Sequence, residues 1–402
     1  MKEIITISML LPFLLIGCGD RNKQSSDDLI TVDVTENYPK KELILQDFMD
    51  VEYIPLETTD EFVCQGFVQN VGKDIIVVRN YSRDGDIFIF DRKGKALRKI
   101  NHLGQGGEEY TFVLGITLDE NKNEMFINDN LSKKILVYDL DGNFKRSFKH
   151  REGTMYDRIY NFDQESLLCH DGYSSNSGEA NELSFMLVSK SDGNMIKEIE
   201  IPFKKKILTA VLLQDTEKDM TYGATPSTDY PIIPDGDNWV LVEPSSDTLF
   251  TFLPDLGLRP FIIRRPPIES MNPEIFLFLS IITDRYCFME AVEKKYDFGL
   301  QKGFPRTNLV YDKKEESLFK CIVYNKDFSN KKQVYMNSIP VNREVVTWQS
   351  LNADVLIEAY NKGQLKGELK DIAANLDEES NPVIMLMKYK KPPCSINATH
   401  VR

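Results

Sequence analysis

From Leu29 to about residue 335, apolar side chains recur with a period of two. Leu29-Ile30-Thr31-Val32-Asp33-Val34 and Val51-Glu52-Tyr53-Ile54-Pro55-Leu56 alternate, and Asp74-Ile75-Ile76-Val77-Val78 contains an unbroken apolar run. Successive side chains on a strand point to opposite faces. Alternation therefore marks a half-buried strand, and a short apolar run marks one covered on both sides. Asp84-Gly85, Lys93-Gly94, Asp141-Gly142, Asp192-Gly193 and Asp235-Gly236 fall between such runs. Glycine supplies the positive φ that tight hairpins need. Many short strands between regular turns predict a sandwich, a barrel or a propeller.

Internal repetition selects the propeller. Asp86-Ile87-Phe88-Ile89-Phe90-Asp91-Arg92-Lys93-Gly94-Lys95 aligns with Lys134-Ile135-Leu136-Val137-Tyr138-Asp139-Leu140-Asp141-Gly142-Asn143, the glycines 48 residues apart. In a third copy, 185–194, the glycine comes 51 residues later, and weaker copies lie at 248–255 and 318–327. Each copy reads as strand, turn, strand: the outer hairpin of a four-stranded blade. A period near 40–50 residues with four strands per unit is the signature of a propeller, whose units must stack around a ring to bury their faces. The spacing predicts an all-β, six-bladed β-propeller over residues 29–391. Five blades are expected near 60–104, 110–152, 155–203, 205–264 and 270–335. A sixth combines 29–58 with 337–391, so that both termini close the ring and remove free sheet edges.

The pattern changes near the C-terminus. Val355, Leu356, Ala359 and Tyr360, then Leu365, Leu369, Ile372 and Leu376, recur at helical spacing. They predict two short helices, an insertion over about 352–379 whose apolar faces pack on the propeller. Pro382-Val383-Ile384-Met385-Leu386-Met387 predicts a closing strand, and 392–402 a tail.

Residues 1–17 form a separate object. Lys2 precedes an apolar run, Ile4 to Ile16, that is too short for a membrane span of ~20 residues, and Leu15-Ile16-Gly17-Cys18 has the form of a lipobox. The expectation is a signal peptide over 1–17, lipid attachment at Cys18 and a polar tether over 18–28. Gly19 in second place of the processed chain favours the outer membrane by the sorting pattern of such lipoproteins. The predicted location is the cell envelope, lipid-anchored, at the periplasmic face or the cell surface. The other cysteines, Cys64, Cys169, Cys287, Cys321 and Cys394, are odd in number and too far apart for a CxxC pair. They read as buried thiols.

Composition narrows the partners. The 402 residues carry 62 acidic and 49 basic side chains, a net charge of −13. That excess opposes a nucleic-acid backbone as the partner.

The lipobox, Val51-Glu52-Tyr53-Ile54-Pro55-Leu56-Glu57-Thr58, Gly104-Gln105-Gly106-Gly107-Glu108-Glu109-Tyr110 and Leu376-Asp377-Glu378-Glu379-Ser380-Asn381-Pro382-Val383 together resemble the six-bladed β-propeller lipoproteins of Bacteroidota. The stretch from Gly104 to Phe148 is also similar to NHL repeats. The resemblance implies an envelope-anchored propeller and no settled activity.

No residue pattern specifies a reaction. There is no GxSxG elbow. His102 and His150 follow equivalent hairpins and read as exposed loop residues, with a pair at a pocket rim as the functional alternative. Asp139-Leu140-Asp141-Gly142-Asn143 begins like a calcium loop, but the twelfth position is His150 rather than Glu. Gly104-Gln105-Gly106-Gly107 lacks the spacing of a phosphate cradle. Glu108 and Glu109 are adjacent on the chain and so would face opposite sides of a strand. Lys204-Lys205-Lys206 reads as a solvated loop and Arg264-Arg265-Pro266-Pro267 as a connector. No catalytic, cofactor or metal residue is assigned, and Cys18 is the single site residue.

The expected function is a non-enzymatic, membrane-anchored scaffold that binds a glycan, a peptide or an envelope protein where blade loops converge. A structural subunit of an envelope complex is a further reading. The alternative is a metal-dependent hydrolase of the gluconolactonase-like type, with Asn128, Asp129, Glu108 and similar residues turned into the channel.

Overall fold

The computed structural model describes residues 29–81, 83–172, 183–227, 230–336, 341–342 and 344–390. The lipobox with Cys18, the tether 18–28 and the tail 392–402 lie outside the described residues. Six sheets stand around a central channel, the six-bladed propeller that the repeat predicts.

Blades 1 to 3 are four-stranded antiparallel meanders. They comprise Phe67–Val71, Ile75–Arg79, Ile87–Asp91 and Ala96–Ile100; Gly115–Asp119, Glu124–Asp129, Lys134–Tyr138 and Phe144–Lys149; and Tyr156–Asn161, Ser166–Asp171, Phe185–Ser189 and Met195–Ile199. Their middle strands are buried on both faces, Ile76 to Val78, Phe88 to Phe90 and Leu136 to Tyr138 among them, because each sheet is packed between two neighbours. The glycine of each outer hairpin has positive φ, +85° at Gly94, +89° at Gly142 and +74° at Gly193. A Cβ there would run into Pro55, Ile100 and Phe148 respectively, each at the end of the preceding blade's outer strand. The recurring glycine thus serves both the turn and the blade-to-blade contact.

Blade 4 contains Ile232–Asp235, Asn238–Leu241, Thr248–Phe252 and Leu258–Arg265, and blade 5 contains Ile275–Ile282, Tyr286–Glu293, Arg306–Asp312 and Ser317–Tyr324. The described residues of 205–231, expected at the start of blade 4, are not in its sheet. They include a separate two-stranded ribbon, Val211–Asp215 with Met220–Ala224. The repeat copy expected at 318–327 is likewise shifted: Ser317–Tyr324 is an outer strand, and its turn precedes it at 313–316.

The N-terminal segment forms a strap over three successive blades. Strand β1 (Ile30–Asp33) adds in parallel to Leu258–Arg265 of blade 4, and β2 (Lys40–Ile44) adds in parallel to Ser317–Tyr324 of blade 5. Only β3 (Met49–Pro55) enters blade 6, antiparallel to Val383–Tyr389. The sixth blade therefore takes less of 29–58 than expected. Its last strand in sequence, Val383–Tyr389, is central, between Val345–Leu351 and β3. Asp312, fully buried, receives Lys41 Nζ at 3.0 Å and Arg285 Nη2 at 2.7 Å, which ties the strap to blade 5. Desolvation opposes the Asp312 charge, but these cations and two backbone N–H groups hold its carboxyl far below the usual range.

The two helices near the C-terminus are α1 (Ala353–Asn361) and α2 (Gly367–Ala373). Leu356, Ala359, Leu365 and Leu369 are buried against Phe48, Met49 and Tyr53. Val355 and Tyr360 of the predicted apolar face are exposed, because the buried stripe runs along Ala353, Leu356 and Ala359 at three-residue steps. Among the described residues no helix is long and apolar enough to cross a membrane.

Candidate functional site

A propeller has two ends. At one, the turn end, each blade's strands are joined by tight hairpins such as 72–74, 120–123 and 162–165. At the other, the loop end, the longer connections gather.

The innermost strands present one edge with no further strand to pair, so their carbonyls need other donors. Side chains of neighbouring blades supply them. Asn342 Nδ2 donates to Val71 O at 2.5 Å, Thr117 Oγ1 to Ile159 O at 2.8 Å and Asn161 Nδ2 to Leu118 O at 3.1 Å. These bonds join blade 6 to blade 1 and blade 2 to blade 3, and Asn70 Nδ2, 3.5 Å from Ile116 O, spans blades 1 and 2, so that the four share a polar channel wall.

Behind the wall, Lys190 is almost wholly buried. Its Nζ donates to Asp119 Oδ2 at 2.6 Å, Asn161 Oδ1 at 2.7 Å and Asp163 O at 2.5 Å. Asp119 belongs to blade 2 and the other two acceptors to blade 3. The Lys190 carbonyl in turn accepts from Arg146, whose guanidinium is bidentate on Glu124 at 2.6 and 2.8 Å. The Arg146 bonds lead the effects that bring the Glu124 carboxyl down to about 2. Lysine here is a departure from the repeat. The same hairpin position is Asp91 in blade 1 and Asp139 in blade 2, where the carboxylate caps its own turn. That departure was the available sequence signal.

The turn-end mouth opens into a cavity of about 450 Å³. Its aromatic part is Tyr160, Phe162 and Trp239, the first and last with ring centroids 5.2 Å apart. Its polar part includes Lys73, Asn121, Gln164 and Glu344. A second space of about 220 Å³ shares Asn70, Thr117, Tyr160 and Val341 with it and continues toward Arg79, Asp157 and Arg158. Burial disfavours the Asp157 charge, but His170 Nδ1 at 2.6 Å and the Arg158 charge outweigh it and lower its carboxyl pKa. Amide, carboxylate and aromatic groups around a concave mouth can bind a polar ligand by hydrogen bonds and ring contact.

Of the residues weighed from sequence, Asn128 lines the second space and the others lie elsewhere. His102 stacks on Tyr138, centroids 5.1 Å apart, with Nε2 3.0 Å from Gly142 O. His150 is buried rather than exposed and stacks on Tyr156 at 4.3 Å. Each packs on a tyrosine of the following blade, His102 on its third strand and His150 on its first, and neither lines the cavity. Asn128 joins His150 and Tyr156 O, and Asp129 accepts from Thr111 and Ser132. Glu109 folds back onto Gly106 N at 2.7 Å, so the glycine-rich loop is closed by its own carboxylate. Asp139 accepts from the backbone of Asp141 and Asn143, as a turn residue does. Among the described residues no group of three or more His, Cys, Asp or Glu is arranged to hold a metal ion.

Two readings are corrected. Lys206 is not solvated: it lies 2.9 Å from the buried carboxylate of Glu243 and 3.1 Å from Ser184 Oγ. Arg264 is buried at the end of a blade-4 strand and paired with Asp247, because Arg264 sits next to the added strap strand. Cys64, Cys169, Cys287 and Cys321 are buried and free. Burial pushes the Cys64 thiol up to about 11 and those of Cys287 and Cys321 to about 12, which keeps them protonated at neutral pH.

His150 makes a pH prediction. Its Nδ1 accepts from Tyr156 N at 3.2 Å and its Nε2 faces Asn128 Oδ1 at 3.0 Å, so the ring is held neutral. Burial brings its pKa to about 4 from 6.5. The unfolded chain takes up a proton near pH 6.5 and the folded chain does not. The His150 contribution, on the order of 3 kcal/mol, is full above pH 6.5 and is lost as pH falls toward 4. Urea unfolding of His150→Gln should show a shallower loss of stability between pH 7 and 5 than the parent. Identical slopes would show that His150 does not titrate in this way.

Residues 29–388 match the model of a family described as a domain of unknown function, DUF4934. A comparison with curated proteins gives no match. Among solved structures, a protein of Bacteroides fragilis described as exported is similar with a TM-score of 0.60 and 16% identity, over 90% of this chain and 100% of that one. A DUF4221 member from Bacteroides vulgatus is similar at 0.47 and 12%, over 86% and 98%. The first of these likenesses extends to the fold.

Proposed function

The chain belongs to the DUF4934 family, and we propose that it is a non-enzymatic binding scaffold of the cell envelope, held to the membrane by lipid on Cys18. Its ligand enters the turn-end mouth of the channel. The observation that carries this reading is the cavity of about 450 Å³, with Tyr160, Phe162 and Trp239 on one part and Asn121, Gln164 and Glu344 on another. Side chains of this kind suit a glycan or a polar peptide, whose hydroxyl or amide groups need partners when desolvated. The lipobox favours the anchored state, with one leaflet of the outer membrane as the support. Asn128 and Asp129 are taken up by bonds to protein groups, which disfavours the hydrolase alternative.

The test is a thermal-melt series on the full-length protein with defined oligosaccharides and envelope peptides. One class should raise Tm by several degrees at a hundredfold excess over Kd, where linkage supplies about 2.7 kcal/mol. Asn121→Ala with Gln164→Ala should remove that shift and leave the unliganded Tm unchanged. In cell fractions, Cys18→Ser should move the protein out of the membrane. A ligand that stabilises the double variant as well as the parent would place binding elsewhere and overturn this site.

A further inference from the structure

The ribbon Val211–Asp215 with Met220–Ala224 buries almost nothing. Leu212, Leu213, Met220 and Tyr222 are 55%, 44%, 50% and 37% exposed. Leu213 and Tyr222 are direct cross-strand partners on one face, while Leu212 opposes Gly223 on the other. Both faces are therefore open. Only the base, Val211 and Ala224, packs against the core of blades 4 and 5. Among the described residues neither strand pairs with a third, so both edges offer free backbone groups.

The segments that flank the ribbon are fixed. Lys206 is held by Glu243 and Ser184, Ile207 N donates to Ser245 Oγ at 2.9 Å, and Arg306 Nη2 reaches Ser227 Oγ at 3.3 Å. A two-stranded hairpin is marginal in water, and open edges are templates for strand addition. An apolar ribbon held out from the loop end on secured roots therefore lacks a covering layer.

Charge selects what covers it. The tip carries Asp215, Glu217 and Asp219 against Lys218 alone, and Lys218 is engaged with Asp215 at 3.1 Å. The whole chain is at −13. A second copy or an anionic lipid surface would bring like charges together, whereas a basic segment would not. We propose that the ribbon docks an extended segment of a partner protein, apolar with net positive charge, which adds as a third strand along one edge of the ribbon, level with the Leu213–Tyr222 pair, and sets its cations against the acidic tip. This is strand addition: backbone bonds give affinity and alternate side chains give selectivity. It concerns the loop end and is independent of the channel ligand proposed above.

A photo-crosslinking residue placed at Leu212 in the full-length protein, expressed in its own cells, tests it. Irradiation should give one major product, and peptide mapping should place the crosslink in a basic, apolar segment of another protein. The same group at Leu97, exposed on the outer wall of blade 1, should give none. Leu213→Asp with Tyr222→Asp, and separately Glu217→Lys with Asp219→Lys, should each lower the yield about tenfold. Neither pair should change Tm, since these side chains are exposed. Asn121→Ala with Gln164→Ala should leave the yield unchanged, which separates failure here from failure of the channel site. A crosslink to a second copy, to lipid or to nothing overturns the proposal. So does a yield indifferent to reversal of the tip charge.

Discussion

Lys190→Met should cost the fold about 3–5 kcal/mol, the range for a buried ion pair broken from one side. The lost Nζ satisfies Asp119, Asn161 and Asp163 O together, and the Asp119 carboxylate lies where water is scarce. Methionine fills the space but leaves the Asp119 carboxylate buried without a cation. Adding Asp119→Leu should recover more than half of the loss, since an apolar pair of similar volume replaces the ionic one. Guanidinium unfolding of the two single variants and the double at pH 7 measures this. A strictly additive double would mean that the two side chains stabilise independently, which the 2.6 Å contact argues against. Asp119, Asn161 and Asp163 also line the turn-end cavity, so Lys190→Met should weaken channel binding through its walls.

Lys190 also marks what could be seen in the sequence. The three strongest hairpin copies predict three blades because the pattern there is local: alternating apolar residues, a turn and a glycine at fixed phase. Those blades lie at 67–100, 115–149 and 156–199. After residue 200 the phase weakens. The ribbon reads as blade because Val211-Leu212-Leu213 has strand composition, and composition does not reveal whether a strand is covered. Partner choice is also non-local. The alternation in Ile30–Asp33 predicts a strand but not that it adds in parallel to residues 258–265. The site residues were less legible still. Asn70, Asn161 and Asn342 are ordinary polar residues in sequence and become wall-forming only once adjacent blades bring carbonyls opposite them. His102 and His150 show the converse: they hold equivalent places in the repeat, yet one packs on Tyr138 of a third strand and the other on Tyr156 of a first.

The strap has the second large effect. A chain beginning at Leu45 keeps β3 and thus the closure of blade 6, but loses β1 and β2. Ile30, Val32 and Leu43 are 6%, 0% and 7% exposed in the complete fold. At about 1.5–3 kcal/mol for each buried aliphatic side chain, their removal should cost roughly 5 kcal/mol, as an upper-range figure because the unfolded chain already covers part of this surface. Lys41 goes with them, leaving Asp312 to Arg285. The kinetic consequence is separate. Without β1 and β2, Leu258–Arg265 and Ser317–Tyr324 become long open edges on two adjacent blades, and an open edge pairs with other chains. The shortened chain should therefore unfold at a markedly lower guanidinium midpoint and also leave the monomer peak in size exclusion with light scattering. Val32→Asp in the full-length protein separates the two terms: it introduces a charge at a fully buried position while keeping the backbone of β1 available. Its midpoint should fall while aggregation stays below that of the truncation. Should the shortened chain remain monomeric and equally stable, the strap would be a passive path to blade 6. The parallel pairing, the buried Val32 and the Lys41–Asp312 contact all argue for a seal on the ring.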